Sequence, residues 1–513
     1  MTRTARAVVP ARATVSLARI EAGRLLRHPL VVLAAAFAVA VWVGEYVSGA
    51  AVSEYPILSV ADRGTQYALL PLAAATLLAG NAATLRAHRH GTTAQYDVLA
   101  LAPWRRTAAH LWSVVPVSVL AAALAGLHLA QLGLSGAAAS RADWAEVATG
   151  PALVLLGGLA GVLLGTVVRS AVAAPLSLVL LAVVTFVLVT PSSRLSVRPV
   201  RWWGPVALEA TSGQPLPAAL QGRPAGWHLV YLLGFSVLAA GLALGRRAPR
   251  MPVAVGVAVG VLLAGLGGVL QLRPPGAGLI EARITATERP SEQQTCTAAG
   301  GVRYCAFPGF TGRTADWRPV VEGVLRWVPV DRRPAELTVR QRVLAEGRPG
   351  AGGGAVVAPV EAWRIDDARA GTPDPVPVGT DWGTGRAEAD LAVAVADRVT
   401  RAGPGRPCGS RAGVVLWLAS RSAPRADEGL RTAVASSTNG VLLTPADVGI
   451  SVFLEPRAVQ LGSSLQDRPE REVAAALARH WVELTAPGTT VERAAHLFGV
   501  PAPAPLDAGF TGC

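Results

Sequence analysis

Few residues in this chain of 513 have a type and spacing that could support catalysis. The chain contains no lysine, so it has neither the P-loop lysine that contacts nucleotide phosphates nor an amine for a Schiff base. The H-E-x-x-H, G-x-S-x-G and C-x-x-C patterns are also missing. We therefore expect no enzymatic activity, no metal site and no bound cofactor, and any ATP and Mg²⁺ would be held by a partner chain.

One pair of side chains has the spacing of two metal ligands. His480 and Glu483 are three positions apart in PEREVAAALARHWVELT, which has the pattern of an amphipathic helix. No third ligand is apparent, and a zinc site needs at least three protein ligands. We therefore expect His480 to be an exposed or capping histidine.

The four cysteines all lie in the second half of the chain. Cys296 and Cys305 flank a Gly-Gly pair in CTAAGGVRYC, where a turn would bring them together, and Cys408 and Cys513 are the remaining candidates. Four cysteines still allow three pairings. Because disulfides persist outside the reducing cytoplasm, the cysteines predict an extracytoplasmic location for this half.

The first half of the chain has the composition of a membrane protein. Apolar residues make up 51% of the chain and charged residues only 16%. Seven apolar stretches approach or exceed the roughly 20 residues that a helix needs to cross the hydrocarbon core. They are Pro29–Val47, Tyr67–Leu85, Thr107–Leu132, Val147–Val168, Ala171–Val189, Trp227–Leu244 and Pro252–Leu272.

Arginines predict how these stretches are oriented. The tail and the even-numbered loops contain 14 arginines, and the alternate loops contain six. Since positive residues concentrate on the cytoplasmic side, we expect a cytoplasmic N-terminus in the cell membrane. Seven crossings would then place everything after Leu272 outside the cytoplasm.

The organisation predicted from these patterns has three parts. Residues 1–28 form a cytoplasmic tail with an amphipathic interfacial helix, in which Val15, Leu17 and Ile20 alternate with polar residues that include Glu21. Residues 29–272 form a polytopic α-helical membrane domain. Residues 273–513 form a mixed α/β extracytoplasmic domain, with a strand in AELTVRQRV and helices in AEADLAVAVADRVTR and PEREVAAALARHWVELT.

The loop RAHRHGTTAQYDVLALAPWRR, residues 86–106, interrupts the second and third stretches. Its glycine can end the preceding helix, and Thr92 or Thr93 can cap a new one. About ten residues of helix would then run to Pro103, which ends it. The loop can also be interpreted as a solvated, positively charged connection without a partner.

An amphipathic entry helix, six core spans and this loop resemble the permease subunits of type-2 ATP-binding-cassette exporters, the ABC-2 family. The resemblance extends over roughly residues 13–245 and leaves the seventh span and the C-terminal domain as additions. In that family the loop is a coupling helix that docks into the ATPase subunit. The residues that would dock are Gly91, Thr92, Gln95, Asp97, Val98, Leu99, Leu101, Pro103 and Arg106.

The loop departs from the family pattern at two positions. His90 and Gln95 stand where the family commonly has acidic residues, and Asp97 is the only acid in the loop. Docking would therefore depend on hydrogen bonds more than on ion pairs. The resemblance implies an ABC ATPase partner and a homodimer or heterodimer of permeases in a lipid membrane, with no nucleic-acid partner.

Polar residues within the apolar stretches are candidates for a transport pathway. Asn81 and His128 lie deepest, whereas His110 and Gln131 lie near the ends of their stretches. Two other functions fit parts of the pattern. A membrane-anchored extracytoplasmic binding or sensor protein would use the C-terminal domain, and a secondary transporter would require internal repeats that this sequence lacks.

Overall fold

The structure, a computed structural model, describes residues 3–92, 95, 101–189, 202–206, 215–245, 248–345, 359–402, 405–437, 439–445 and 451–504. These residues divide into two compact units. The first unit extends to Pro275, and the second begins at Gly276 and also includes the short segments 137–140 and 215–221. The main division therefore falls three residues after the boundary predicted from the sequence.

Helices dominate the chain before residue 276. Their bounds are α1 Arg3–Leu26, α2 Pro29–Val47, α3 Ala51–Glu54, α4 Leu58–Arg89, α5 Pro103–Gly133, α6 Trp144–Val167, α7 Ala173–Val189, α8 Ala218–Gln221, α9 Ala225–Leu244 and α10 Arg250–Leu270. The short helix α8 belongs to the second unit, and the others form a bundle in the first. A polytopic helical architecture follows directly from this arrangement.

Six helices among the described residues are long and apolar enough to cross a membrane, namely α2, α4, α5, α6, α9 and α10. The predicted stretch Ala171–Val189 corresponds to α7, which is equally apolar but has 17 residues. A helix of that length rises about 25 Å, slightly less than the roughly 30 Å of a hydrocarbon core. Six of the seven predicted spans thus have the expected helices, and a crossing by α7 stays a prediction.

Two of these helices extend well beyond their apolar stretches. The 32-residue helix α4 begins at Leu58, nine residues before the predicted span. The helix α5 begins at Pro103 and not at Thr107. Proline is favoured at the first helical position because its missing N–H would be unpaired there. Pro103 therefore starts α5, a role that the sequence pattern did not assign to it.

Glycines allow α4 and α6 to pack with their backbones in close approach. A Cβ atom added at Gly161 would lie 2.2 Å from the carbonyl oxygen of Leu77, and one at Gly157 would lie 2.6 Å from that of Ala73. Helices α9 and α10 approach each other as closely, since a Cβ added at Gly234 would lie 2.3 Å from the backbone nitrogen of Ala264. The small-residue pattern of the sequence therefore serves helix packing.

The second unit contains the following further elements. Its helices are α11 Ala277–Glu288, α12 Thr314–Leu325, α13 Val360–Arg369, α14 Gly385–Thr400, α15 Gly409–Ser420, α16 Pro424–Ala435, α17 Pro456–Gln466, α18 Glu470–Thr485 and α19 Val491–Phe498. Its strands are β1 Thr295–Ala299, β2 Val302–Ala306, β3 Leu337–Gln341, β4 Val376–Val378, β5 Val441–Leu443 and β6 Val452–Leu454. The predicted mixed α/β architecture is therefore confirmed for this region.

The larger sheet of the second unit has the strand order β1-β2-β3-β4. Strands β1 and β2 form an antiparallel hairpin, whereas β2, β3 and β4 run parallel. Cys296 and Cys305 are register partners in the hairpin and form a disulfide. Gly300 and Gly301 turn the chain with φ of +60° and +77°, backbone angles that favour glycine and suit a two-residue hairpin turn.

The second pair of cysteines is described only in part. Cys408, at the start of α15, is disulfide-bonded. Cys513, the one other cysteine of the chain outside the hairpin, lies outside the described residues. The hairpin disulfide confirms the first predicted pair, and the second stays a prediction.

Candidate functional site at the loop end of the helix bundle

The predicted docking loop begins where α4 ends, at what we call the loop end of the bundle. The Thr92 N–H donates to the Ala87 carbonyl at 3.0 Å, and the Gly91 N–H donates to the His88 carbonyl at 3.2 Å. Gly91 is left-handed, with φ of +65°. These two bonds and the left-handed glycine form a Schellman motif, which ends a helix.

The side chain of Thr92 contributes to the end of α4. Its hydroxyl donates to the Ala87 carbonyl at 3.3 Å, so it completes the end of α4. The sequence pattern assigned Thr92 or Thr93 to the cap of a new helix. Thr93 lies outside the described residues, so the cap of a new helix stays a prediction.

The other predicted docking residues are described unequally. Gln95 is helical and exposed, Leu101 is half-buried, and Arg106 lies in the first turn of α5. Asp97, Val98 and Leu99 lie outside the described residues. The central residues of the proposed coupling helix therefore remain predictions.

An ion-pair cluster lies beside this loop. Glu21 of α1 is only 5% exposed, and its Oε1 accepts from Arg24 Nη1 at 2.7 Å and from Arg86 Nη1 at 3.0 Å. The sequence pattern placed Glu21 among the polar residues on the water-facing side of the amphipathic helix, and this prediction is wrong. Glu21 turns towards the bundle because Arg86 of α4 offers its carboxylate a partner there, while Ile20, assigned to the apolar face, is 55% exposed.

A cavity of about 580 Å³ opens around this cluster, and we call it the loop-end cleft. It lies among α1, the end of α4, the start of α5 and the end of α6. Its lining residues are Leu17, Glu21, Arg24, Ala83, Thr84, Leu85, Arg86, Ala87, His88, Pro103, Arg106, Thr107, His110, Gly165, Thr166 and Arg169. A smaller cavity of about 230 Å³ adjoins it and shares Glu21, Arg24, Arg86 and His110.

His110 lies between the two cavities and is more enclosed than its position in the sequence suggests. Its Nδ1 is buried and has no hydrogen-bond partner among the described residues. The sequence pattern placed His110 near the end of its apolar stretch, where water could reach it. It lies seven residues into α5 because that helix begins at Pro103, and α1 covers the surrounding surface.

The two predicted pathway residues do not share a site. Asn81 is 3% exposed at the contact of α4 with α6, and its Oδ1 accepts no hydrogen bond from the part of the chain that the structure describes. His128 stacks on Trp42 of α2, with ring centroids 4.5 Å apart. The contact gives His128 a packing role, and a transport-pathway role for either residue stays a prediction.

A second buried polar cluster lies at the opposite end of α4. Arg63 Nη2 donates to Glu146 Oε1 at 3.0 Å, and Gln66 Nε2 donates to Glu146 Oε2 at 2.5 Å. Arg223 Nη1 donates to Asp62 Oδ1 at 3.3 Å. These groups tie α4 to α6 and to the segment before α9, so they hold this end of the bundle closed.

The sequence signal for these two clusters was weak but present. Acids are rare in the first half of the chain, where the eight acids include Glu21, Asp62 and Glu146. An acid within a mostly apolar region requires a partner, because an unpaired buried charge is costly. Which arginine supplies the partner depended on helix packing and was not visible in the sequence.

In the second unit, His480 is half-buried and Glu483 forms an ion pair with Arg493. Glu483 Oε1 accepts from Arg493 Nε at 2.6 Å, and this hydrogen bond lowers the pKa of Glu483 below its ordinary value. His480 lies at a kink of α18, with φ of −118°. Glu483 therefore serves as an ion-pair partner for α19.

Comparison with protein-family models, with curated proteins and with solved structures finds no match to this chain.

Proposed function

We propose that this chain is the membrane-spanning permease subunit of an ATP-driven exporter, and that residues 86–106 dock a separate ATPase subunit. The observation that carries the proposal is the geometry around the loop. The 32-residue α4 stops at a left-handed Gly91, and the 31-residue α5 starts at Pro103. A force on the short connection between them therefore acts directly on two long apolar helices.

The partners follow from the same proposal. The chain lacks lysine, so a P-loop on another chain would bind ATP and Mg²⁺. Two permease chains, identical or different, would pair in the cell membrane and alternate their access as the motor closes. The family resemblance of the loop and of the helix order supports this arrangement.

The proposed topology has a cytoplasmic N-terminus and an extracytoplasmic second unit. The excess of arginines at the loop end supports the first part. The Cys296–Cys305 disulfide supports the second, because cytoplasmic thiols are kept reduced. An odd number of crossings is required, so α7 would cross with some local thinning of the bilayer.

The docking proposal requires a gene for a P-loop ATPase beside the gene for this chain, and co-purification with that ATPase tests it. Leu99→Asp places a charge in the proposed apolar docking surface, and Gly91→Pro forbids the φ of +65° that ends α4. We expect either change to reduce ATPase recovery and ATP turnover at least tenfold, since a loss of about 1.4 kcal/mol already has that effect.

Gly49→Pro is the matched control. Gly49 also has a left-handed φ of +64° and follows α2, but it lies at the opposite end of the bundle. The Gly49→Pro variant should leave ATPase binding unchanged. Normal ATPase recovery with both loop variants, in protein whose melting temperature is unaltered, would show that the loop is not the docking element.

A further inference from the structure

The loop-end cleft carries an unbalanced charge. Four arginines line it, Arg24, Arg86, Arg106 and Arg169, and Glu21 is the only acid among the described lining residues. Glu21 already pairs with Arg24 and Arg86. A concave site with low-dielectric walls and one sign of charge concentrates counter-ions, so this cleft favours an anion.

The cationic groups can be reached from outside the protein. Arg24 and Arg86 keep side-chain exposures of 58% and 40%. His110 adds a buried Nδ1 that has no partner among the described residues and belongs to the lining of both cavities. The lining of the cleft thus combines accessible guanidinium groups with a buried polar atom that has no partner among the described residues.

The surroundings of the cleft indicate an amphipathic ligand. Helix α1 leads directly into the first apolar helix, and Leu17 of α1 lines the cleft. Val15 and Ile20 of the same helix are more than half exposed. Apolar residues beside arginines on such a helix are typical of the layer where headgroups meet acyl chains.

We propose that the loop-end cleft binds the phosphate group of an anionic membrane phospholipid. Arginine forks match phosphate oxygens, and basic pockets between helices at the cytoplasmic surface suit acidic headgroups. The apolar residues of α1 would contact the acyl chains, which a soluble phosphate lacks. The inference rests on the proposed topology, since it needs the cleft to face the anionic cytoplasmic leaflet.

The test uses the full chain in bilayer nanodiscs of phosphatidylcholine with or without phosphatidylglycerol. Phosphatidylglycerol that stays bound after detergent extraction is counted by native mass spectrometry. Arg24→Gln with Arg169→Gln should weaken its retention about fivefold for each arginine removed. The matched control is Arg19→Gln with Arg105→Gln, which removes two arginines of α1 and α5 that do not line either cavity.

The outcomes separate the ligand sources. Loss of phosphatidylglycerol in the cleft variant alone, with retention partly restored by Arg24→Lys and Arg169→Lys, which keep the charge but not the fork, supports the proposal. Equal retention in the cleft and control variants overturns it, as does equal retention of phosphatidylcholine by the unaltered chain. Inorganic phosphate that raises the melting temperature when phosphatidylglycerol does not also overturns it, in favour of a soluble phosphate.

This result is independent of the docking proposal. Arg24 and Arg169 lie outside residues 86–106, so ATPase recovery should be normal in the cleft variant. Loss of lipid with normal ATPase binding concerns the cleft alone, and loss of ATPase binding in the loop variants concerns docking alone.

Discussion

Individual buried charges in this protein are positioned by partners far away in the chain. Glu21 meets Arg86, and Arg63 meets Glu146. In the second unit, Asp367 Oδ2 accepts a hydrogen bond from Arg342 Nη2 at 2.5 Å, and Asp367 Oδ1 forms an ion pair with Arg340 Nε at 3.1 Å. All three side chains are almost fully buried. A buried pair contributes little net stability while it is intact, but breaking it is costly.

Asp367→Asn should therefore destabilise the second unit strongly. The change removes the nearest counter-charge of two buried guanidinium groups, a loss of about 3–5 kcal/mol. Asp374→Asn is the control, because Asp374 pairs with Arg401 but is 53% exposed, and an exposed pair is worth at most about 1 kcal/mol. Thermal unfolding of the full chain compares the two, and similar melting temperatures would contradict this view of Asp367.

Tyr304 should make the protein sensitive to alkali. Burial raises the pKa of its hydroxyl to about 12, and Glu322 adds to the effect. In the unfolded chain this tyrosine ionises near pH 10. The folded state favours the neutral hydroxyl. The stability that Tyr304 contributes to the folded state is therefore complete below about pH 10 and is lost as the pH rises to about 12.

The measurement compares unfolding of the unaltered chain and Tyr304→Phe between pH 8 and pH 12. The hydroxyl has no partner among the described residues, so the variant should be within about 1 kcal/mol of the original at pH 8. Above pH 10 the variant should become the more stable of the two, by up to about 2–3 kcal/mol. Parallel pH profiles would show that Tyr304 ionises normally.

At the scale of elements, the contact between α4 and α6 is the tightest in the first unit. Five glycines of α6 face α4, and Cβ atoms at these positions would lie within 3.0 Å of α4 atoms. Such contacts replace the hydrophobic effect as the source of helix association in lipid. The cluster around Glu21 lies at one end of this helix pair, and the cluster around Glu146 lies at the other. The packing of α4 against α6 therefore determines which charged side chains meet in each cluster.

Gly161→Ala should separate these helices. The new Cβ would lie 2.2 Å from a backbone oxygen of α4, and neither backbone can yield locally. We expect a loss of about 1–3 kcal/mol, the usual cost of overpacking, seen as a lower melting temperature in detergent. Gly126→Ala in α5 meets no atom within 4 Å and should have no such effect. Equal melting temperatures for the two variants would contradict the packing.

At the scale of the whole molecule, the two units differ in the forces that stabilise them. The first consists of apolar helices whose exposed faces suit lipid. The second has two sheets, a disulfide and a mixture of helices and strands. The topology proposal assigns the second unit to the extracytoplasmic side, where a disulfide persists.

Labelling of cysteines tests that topology. Cys296 is exposed in the hairpin, so a membrane-impermeant maleimide should label it in intact cells after mild reduction. Ser16→Cys, on the exposed face of α1, places a cysteine on the proposed cytoplasmic side. This cysteine should be labelled only after lysis. Labelling of Cys296 only after lysis would reverse the assignment of the second unit.

The local features of this protein were determined by the sequence alone. A run of about 20 apolar residues has few structures open to it besides a helix, because no water is available to pair the backbone. The disulfide between Cys296 and Cys305 was predictable for a similar reason, since a short hairpin with a Gly-Gly turn leaves few alternatives. Helix ends were less certain, as the start of α5 at Pro103 illustrates.

The partners of the buried charges were decided only by the tertiary structure. Glu21 and Arg86 are 65 residues apart, and Arg63 and Glu146 are 83 apart. The pattern of each helix indicates which of its faces is apolar, but not which other helix that face meets. Close packing selects the neighbour, and the cost of an unpaired charge then fixes the side chain, so the loop-end cleft exists only in the folded bundle.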